Sequence, residues 1–317
     1  VHAATIAFAA ALAAAAPAAP AGPEGGLPRE AEELAARTYD VAFHEGRLLA
    51  AATSGLVVYD LADRAAPTRI AAVLLPGSAS SLAVQERLAY VCLGPDGLRV
   101  VDVRDPANPA LVGSLDTPGS VNAFVPAGRR GYLADGAMGI AVVDLAEPGR
   151  PREIGRLETG GYPRAAAVSG RFLAVADEEA GLRLFLLDGG SIPKAAGVLR
   201  TGGRPRGVAL DGRLAYVAAG PGGLVIVDVT DPASPRKVGA FPARSAVRGV
   251  AVAGGRACIA DGLAGIRVLD VSDPASPAEV ASFPTERGFN RVAILGPLLG
   301  AAEDSAGVRL LDLAAGP

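Results

Sequence analysis

An all-β fold is predicted for this chain by three observations: one unit returns seven times, its apolar runs are short, and 41 Gly with 25 Pro supply turns at high density. The copies are marked by Gly55-Leu56-Val57-Val58-Tyr59-Asp60, Gly97-Leu98-Arg99-Val100-Val101-Asp102 and Gly139-Ile140-Ala141-Val142-Val143-Asp144. They continue at Gly181 to Asp188, Gly223 to Asp228, Gly265 to Asp270 and Gly307 to Asp312. The closing aspartates are 42, 42, 44, 40, 42 and 42 residues apart. A four-stranded meander of about 40 residues cannot bury both faces alone, so copies must stack, and radial stacking of such sheets is a seven-bladed β-propeller. A β-solenoid would need shorter rungs of parallel strands, whereas the hairpin turns here demand antiparallel ones.

Taken in order, the chain opens with an uncharged Ala-rich run to Ala16, followed by Pro17 and Pro20. This resembles the apolar core and small-residue cleavage region of a secretory signal peptide, and it is too short to span a bilayer comfortably. No Lys or Arg precedes it, so an Ala/Pro-rich disordered leader is the competing reading of residues 1–27. The propeller is placed at 28–317, with blades near 39–76, 77–118, 119–160, 161–202, 203–242, 243–284 and 285–313. The fifth blade shows the strands most clearly: Gly207 to Leu210, the Asp211-Gly212 turn, Leu214 to Ala218, Leu224 to Val229, the Asp231-Pro232-Ala233-Ser234 turn, and Lys237 to Phe241. Pro235 and Pro277 enter the fourth strand, which must therefore be an edge. The seventh unit ends after its third strand, so its fourth must come from the N-terminal flank. Residues 30–37 are the expected source, although Pro28, the early acids and the late Arg37 also favour a helix there.

The run Leu224-Val225-Ile226-Val227-Asp228, continued by Val229-Thr230-Asp231-Pro232-Ala233-Ser234-Pro235, spells the signature of the LVIVD repeat, and all seven units carry versions of it. The chain thus resembles LVIVD-repeat β-propellers, a group that is bacterial and archaeal and often exported. The resemblance implies a surface propeller and implies no reaction.

Two sets of residues recur by position. The repeated aspartates end the third strand, where a carboxylate can accept backbone N–H bonds in the turn that follows. The second set lies two residues before the apolar start of the first strand: Tyr39, Ser80, Asn122, Arg164, Arg206, Arg248 and Asn290. If the first strand is innermost, these seven ring the mouth of the central channel. Arg164, Arg206 and Arg248 come from adjacent blades, with Arg204 and Arg291 close by in sequence. Such guanidinium groups either pair with carboxylates or hold an anion in planar forks. Asp135, Asp177, Asp261 and Glu303, with Glu178 and Glu179, end the second strands on the same face and are the candidate internal partners. The expected ligand contacts are Arg164, Arg206, Arg248, Asn122, Asn290 and Tyr39.

Composition narrows the function. A net charge of -3, with 4% aromatic residues and no Trp, argues against nucleic-acid binding. Cys92 and Cys258 lie in different repeats without zinc-ligand spacing and read as buried thiols. The two histidines are His2 in the leader and His44, read as a solvated turn residue, so neither a Ser/His/Asp triad nor a His-metal site can be assembled. No cofactor and no metal are expected. The resulting reading is a non-catalytic, monomeric scaffold, extracellular, periplasmic or on the cell surface, without a transmembrane segment. It binds a protein or an anionic surface ligand through its loop faces. The alternative is a propeller hydrolase or lyase using carboxylates and arginines at the channel mouth.

Overall fold

The computed structural model describes residues 25–26, 37–64 and 66–313. They form seven four-stranded antiparallel sheets arranged as the blades of a propeller. In blade five, Gly207–Asp211 is innermost, followed outward by Leu214–Ala218, Leu224–Asp228 and Arg236–Phe241. The innermost strand of each blade lies beside that of the next, and Phe289–Leu295 of blade seven lies beside Thr38–His44 of blade one.

The core shows why the ring forms. Each hydrophobic cluster is shared by two neighbouring blades. Leu49, Leu56 and Val58 of blade one meet Leu82, Val91 and Val101 of blade two, and the series ends where Ala302, Val308 and Leu310 of blade seven meet Val41, Leu48 and Val57 of blade one. Successive side chains of a strand point to opposite faces, and here both faces of every blade are covered. The third strand is therefore a continuous apolar run: Leu224, Val225, Ile226 and Val227 are all buried. Burying each such side chain contributes about 1.5–3 kcal/mol, and only the neighbouring blades provide the cover.

The outer strand is set by two further features. In blades one to six the pairing of third with fourth strand slips by one residue, as between Ile226 and Val227 of blade five. Such a bulge twists the outer strand. Beside it, several blades carry a glycine against the turn of the next blade. A Cβ on Gly239 would stand 1.9 Å from the Pro274 carbonyl oxygen, and one on Gly197 2.3 Å from that of Pro232.

The fourth strand of the seventh sheet is Gly25–Gly26, which pairs antiparallel with Gly307–Asp312 through Gly25 to Leu310 and Gly26 to Arg309. An N-terminal segment thus lies beside the last blade, drawn from within the stretch read as leader. Residues 30–37 were expected in that role; Arg37 instead meets blade one, its carbonyl accepting the Thr53 N–H at 3.0 Å, and residues 30–36 lie outside the described residues, as does the Ala-rich run.

Candidate functional site

The repeated aspartates act in the turns. Asp60, Asp102, Asp144, Asp188, Asp228 and Asp270 each accept the backbone N–H two residues on, at 2.8 to 3.2 Å. Hydrogen bonds from Thr230 and Ser272 hold Asp228 and Asp270 below the usual carboxylate range. These residues do a job common to the blades and do not gather at one place.

The seven column residues do. Each stands where its innermost strand begins, so together they ring one end of the channel. Ser80, Asn122 and Asn290 clasp neighbouring blades. The Ser80 hydroxyl donates to the Val121 carbonyl at 3.2 Å, Asn122 Nδ2 to that of Pro163 at 3.1 Å, and Asn290 Nδ2 to that of Thr38 at 3.5 Å. The two asparagines also accept from arginines: Arg164 Nη1 donates to Asn122 Oδ1 at 3.2 Å and Arg248 Nη1 to Asn290 Oδ1 at 3.0 Å. Asn122 and Asn290 therefore aim guanidinium groups as well as tie blades. Tyr39 is half-buried on the same ring.

Three arginines share one carboxylate. Glu178, almost fully buried, accepts from Arg164 Nη2 at 3.1 Å through Oε2, and Arg204 Nη2 lies 3.7 Å from the same oxygen. Arg206 Nη2 is 3.1 Å from Oε1, an ion pair by distance that lacks hydrogen-bond alignment. Arg164 also lies over the Tyr162 ring, 4.5 Å from its centroid. Arg248 has no carboxylate within ion-pair distance among the described residues. At a rim of this kind a guanidinium without an acid can hold a carboxylate or phosphate oxygen.

Asp135, Asp177, Asp261 and Glu303, also expected as candidate partners, are engaged away from the rim arginines. Asp135, Asp177 and Asp261 are fully buried under their own loops. Asp177 accepts the N–H groups of Tyr162, Glu179 and Ala180, while Asp135 pairs with Arg156 at 2.8 Å, Asp261 with Arg267 at 3.0 Å and Glu303 with Arg309 at 3.2 Å. Arg267 also engages Glu279 and lies 4.3 Å from the Phe241 ring centroid. These partners were missed although a signal exists. Arg267 and Arg309, like Arg99 and Arg183, follow the apolar residue near the start of a third strand, so for these two the repeat carries a signal; Arg156, on a fourth strand, has no such signal.

His44 also differs from its reading as a solvated residue. Its side chain is only 15% exposed, with Nε2 3.8 Å from Glu45 Oε2, and burial pushes its proton affinity below the ordinary imidazole value. It ends an innermost strand at the opposite face from the arginines, where the hairpin into the second strand covers it. Cys92 and Cys258 are buried free thiols, as the sequence suggested.

The hydrolase or lyase reading requires at least two carboxylates free within the mouth. Glu178 is held by arginines. Asp40, one residue inside the channel, accepts from Ser81 Oγ at 2.8 Å and from the N–H groups of Val41 and Leu82 at 2.9 and 3.1 Å.

Comparison with known proteins agrees with this architecture. The family model described as LVIVD repeat matches residues 76–117, 130–159, 202–242 and 245–285. No curated protein matches the chain. Among solved structures, the crystal structure of the computationally designed Ika8 protein is similar with a TM-score of 0.65 and 9% identity, over 88% of this chain and 96% of that one. At that identity the likeness shows the fold alone. With four copies matched by the family model and seven blades closed into a ring, the chain is an LVIVD-repeat β-propeller.

Proposed function

We propose that this propeller is a binding scaffold whose arginine-lined channel mouth holds an anionic group of a protein or other surface partner. One observation carries the reading: Arg164, Arg204, Arg206 and Arg248 meet at one end of the channel, and among the described residues only the Glu178 carboxylate answers them. Guanidinium groups gathered in excess over carboxylates repel each other, and an anion entering from solvent relieves that repulsion. The asparagine clasps support the same reading, because they fix Arg164 and Arg248 before any ligand arrives, which lowers the entropic cost of binding.

The chain is further proposed to act outside the cytoplasm, at the cell surface or in the periplasm. The support is the signal-like composition of residues 1–27. Expression with that segment followed by a reporter, and fractionation of the cell, tests the location.

Binding is tested by calorimetric titration with a short acidic peptide at low and at moderate salt. Wild-type protein binds, the affinity falls as salt screens the arginines, and Arg164→Ala/Arg206→Ala/Arg248→Ala abolishes it. Absence of binding by folded wild-type protein ends the reading.

A further inference from the structure

One residue deeper than the rim, the innermost strands present Asp40, Ser81, Ala123, Ala165, Gly207, Gly249 and Arg291. Arg291 is the one long cation in this layer. Its side chain lies back across two blades, where Nη1 donates to the Arg248 carbonyl at 2.9 Å and to the Arg206 carbonyl at 2.7 Å. Glycines make that path possible. A Cβ on Gly249 would lie 3.0 Å from Arg291 Cα and 3.4 Å from its Cδ, and a Cβ on Gly207 would lie 3.0 Å from Nη1. The backbone of blades five and six thus forms a notch that fixes this guanidinium inside the channel.

The fixed cation is poorly answered. Among the described residues no carboxylate lies within ion-pair distance of Arg291. Burial first, and then the like charges of Arg206 and Arg164, depress its proton affinity, while Asp40 at longer range acts the other way. Asp40 is itself engaged with Ser81, Val41 and Leu82, and burial favours its neutral form. Nη1 of Arg291 is engaged by the two carbonyls, and its other nitrogens have no protein acceptor among the described residues.

We infer that a phosphate group, either the free ion or a monoester, seats in the channel between Arg164, Arg206 and Arg291. The inference rests on the anion-binding reading above and names the ligand class. Three features separate phosphate from a carboxylate. Glu178 is a carboxylate bonded by Arg164 and paired by distance with Arg206 at the rim, yet no carboxylate lies within ion-pair distance of Arg291 among the described residues. The donors come from blades four, five and seven and from two levels of the channel, an arrangement suited to the divergent oxygens of a tetrahedral anion rather than to one planar fork. The cationic excess also exceeds a single charge, which favours a dianion.

The full chain is titrated with inorganic phosphate and, in a second arm, glycerol phosphate, with acetate as the carboxylate control. Both phosphates are expected to bind at least about tenfold more tightly than acetate. The tighter of the two identifies the free ion or the monoester as the ligand. Arg291→Gln lowers phosphate affinity at least about tenfold. Because that variant also loses two inter-blade hydrogen bonds, Glu178→Gln gives an independent test: removing a nearby negative charge raises phosphate affinity by about tenfold. Phosphate no tighter than acetate, or an affinity unmoved or lowered by Glu178→Gln, overturns the inference. If the acidic peptide binds while phosphate does not, the scaffold reading stands and only the phosphate seat is lost; if neither binds, both fail.

Discussion

At the scale of single residues, the most repeated side chain of this protein is a turn former. Asp228 receives the N–H and the hydroxyl of Thr230, and its counterparts in the other described turns do the same with the backbone alone or with Ser272. Asp228→Ala leaves that N–H without its acceptor and is expected to cost about 1–3 kcal/mol, read as a shift of the urea midpoint. Asp228→Asn, which keeps an acceptor oxygen, loses much less. Hydrogen bonds from Asn108 to Asp105, from Lys194 to Asp188, from Thr230 to Asp228 and from the Ser272 N–H to Asp270 contribute to the acid limb of stability. Asp105, Asp188, Asp228 and Asp270 have folded proton affinities below the ordinary value of 3.8, so the unfolded chain takes up protons first. Their stabilisation is fully present above pH 3.8 and is lost as pH falls through the lower folded values. A urea midpoint that stayed flat from pH 5 down to pH 2 would contradict this. The turn aspartates were legible in the sequence because their spacing equals the repeat. The position of Arg267 recurs with the repeat, but its pairing with Asp261 was not legible, because Asp261 follows the second strand and meets Arg267 of the third only once the loop between them folds.

At the scale of the element, the outer strand gains its place through a close approach of backbone to backbone. Gly239 stands under the Pro274 carbonyl of the next blade, where a Cβ would have to sit at 1.9 Å. Gly239→Ala is therefore expected to destabilise by about 1–3 kcal/mol through forced displacement of the Pro274 turn, measured by chemical denaturation. Substitution at Gly212, in an exposed hairpin with nothing near the new Cβ, tests a different matter: its φ of +54° carries a backbone cost without any inter-blade clash. Strand order and hairpin positions could be read from the Asp-Gly and Asp-Pro punctuation. The glycine under the neighbouring turn could not, since a local pattern does not reveal what will stand 40 residues away in sequence and in contact in space.

At the scale of the whole molecule, every hydrophobic cluster belongs to two blades, so no blade keeps its core when a neighbour opens. Cys92 of blade two and Cys258 of blade six report on this from opposite parts of the ring. Burial pushes the Cys258 thiol up to about 12 and the Cys92 thiol well above its ordinary range, so neither provides thiolate in the folded state. With a thiol reagent at pH 8, both are expected to stay unmodified in native protein and to become reactive together across a single denaturant transition. Modification of one thiol well before the other would show that blades open separately and would contradict a mutually supported ring. Ring-wide packing also explains the channel, whose polar lining is drawn from all seven innermost strands.

The repeat, its length and its turn chemistry are local properties, and the sequence by itself determined the all-β class, the seven four-stranded blades and the column of residues at the channel mouth. Tertiary structure alone decided which charges meet. It placed Glu178 among Arg164, Arg204 and Arg206, sent Asp135, Asp261 and Glu303 to arginines on the outer strands of their own blades, and laid Arg291 across two glycines into the channel. The reason is physical: strand and turn formation depend on neighbours in sequence, whereas an ion pair depends on distances of a few ångströms between side chains that only the closed ring brings together.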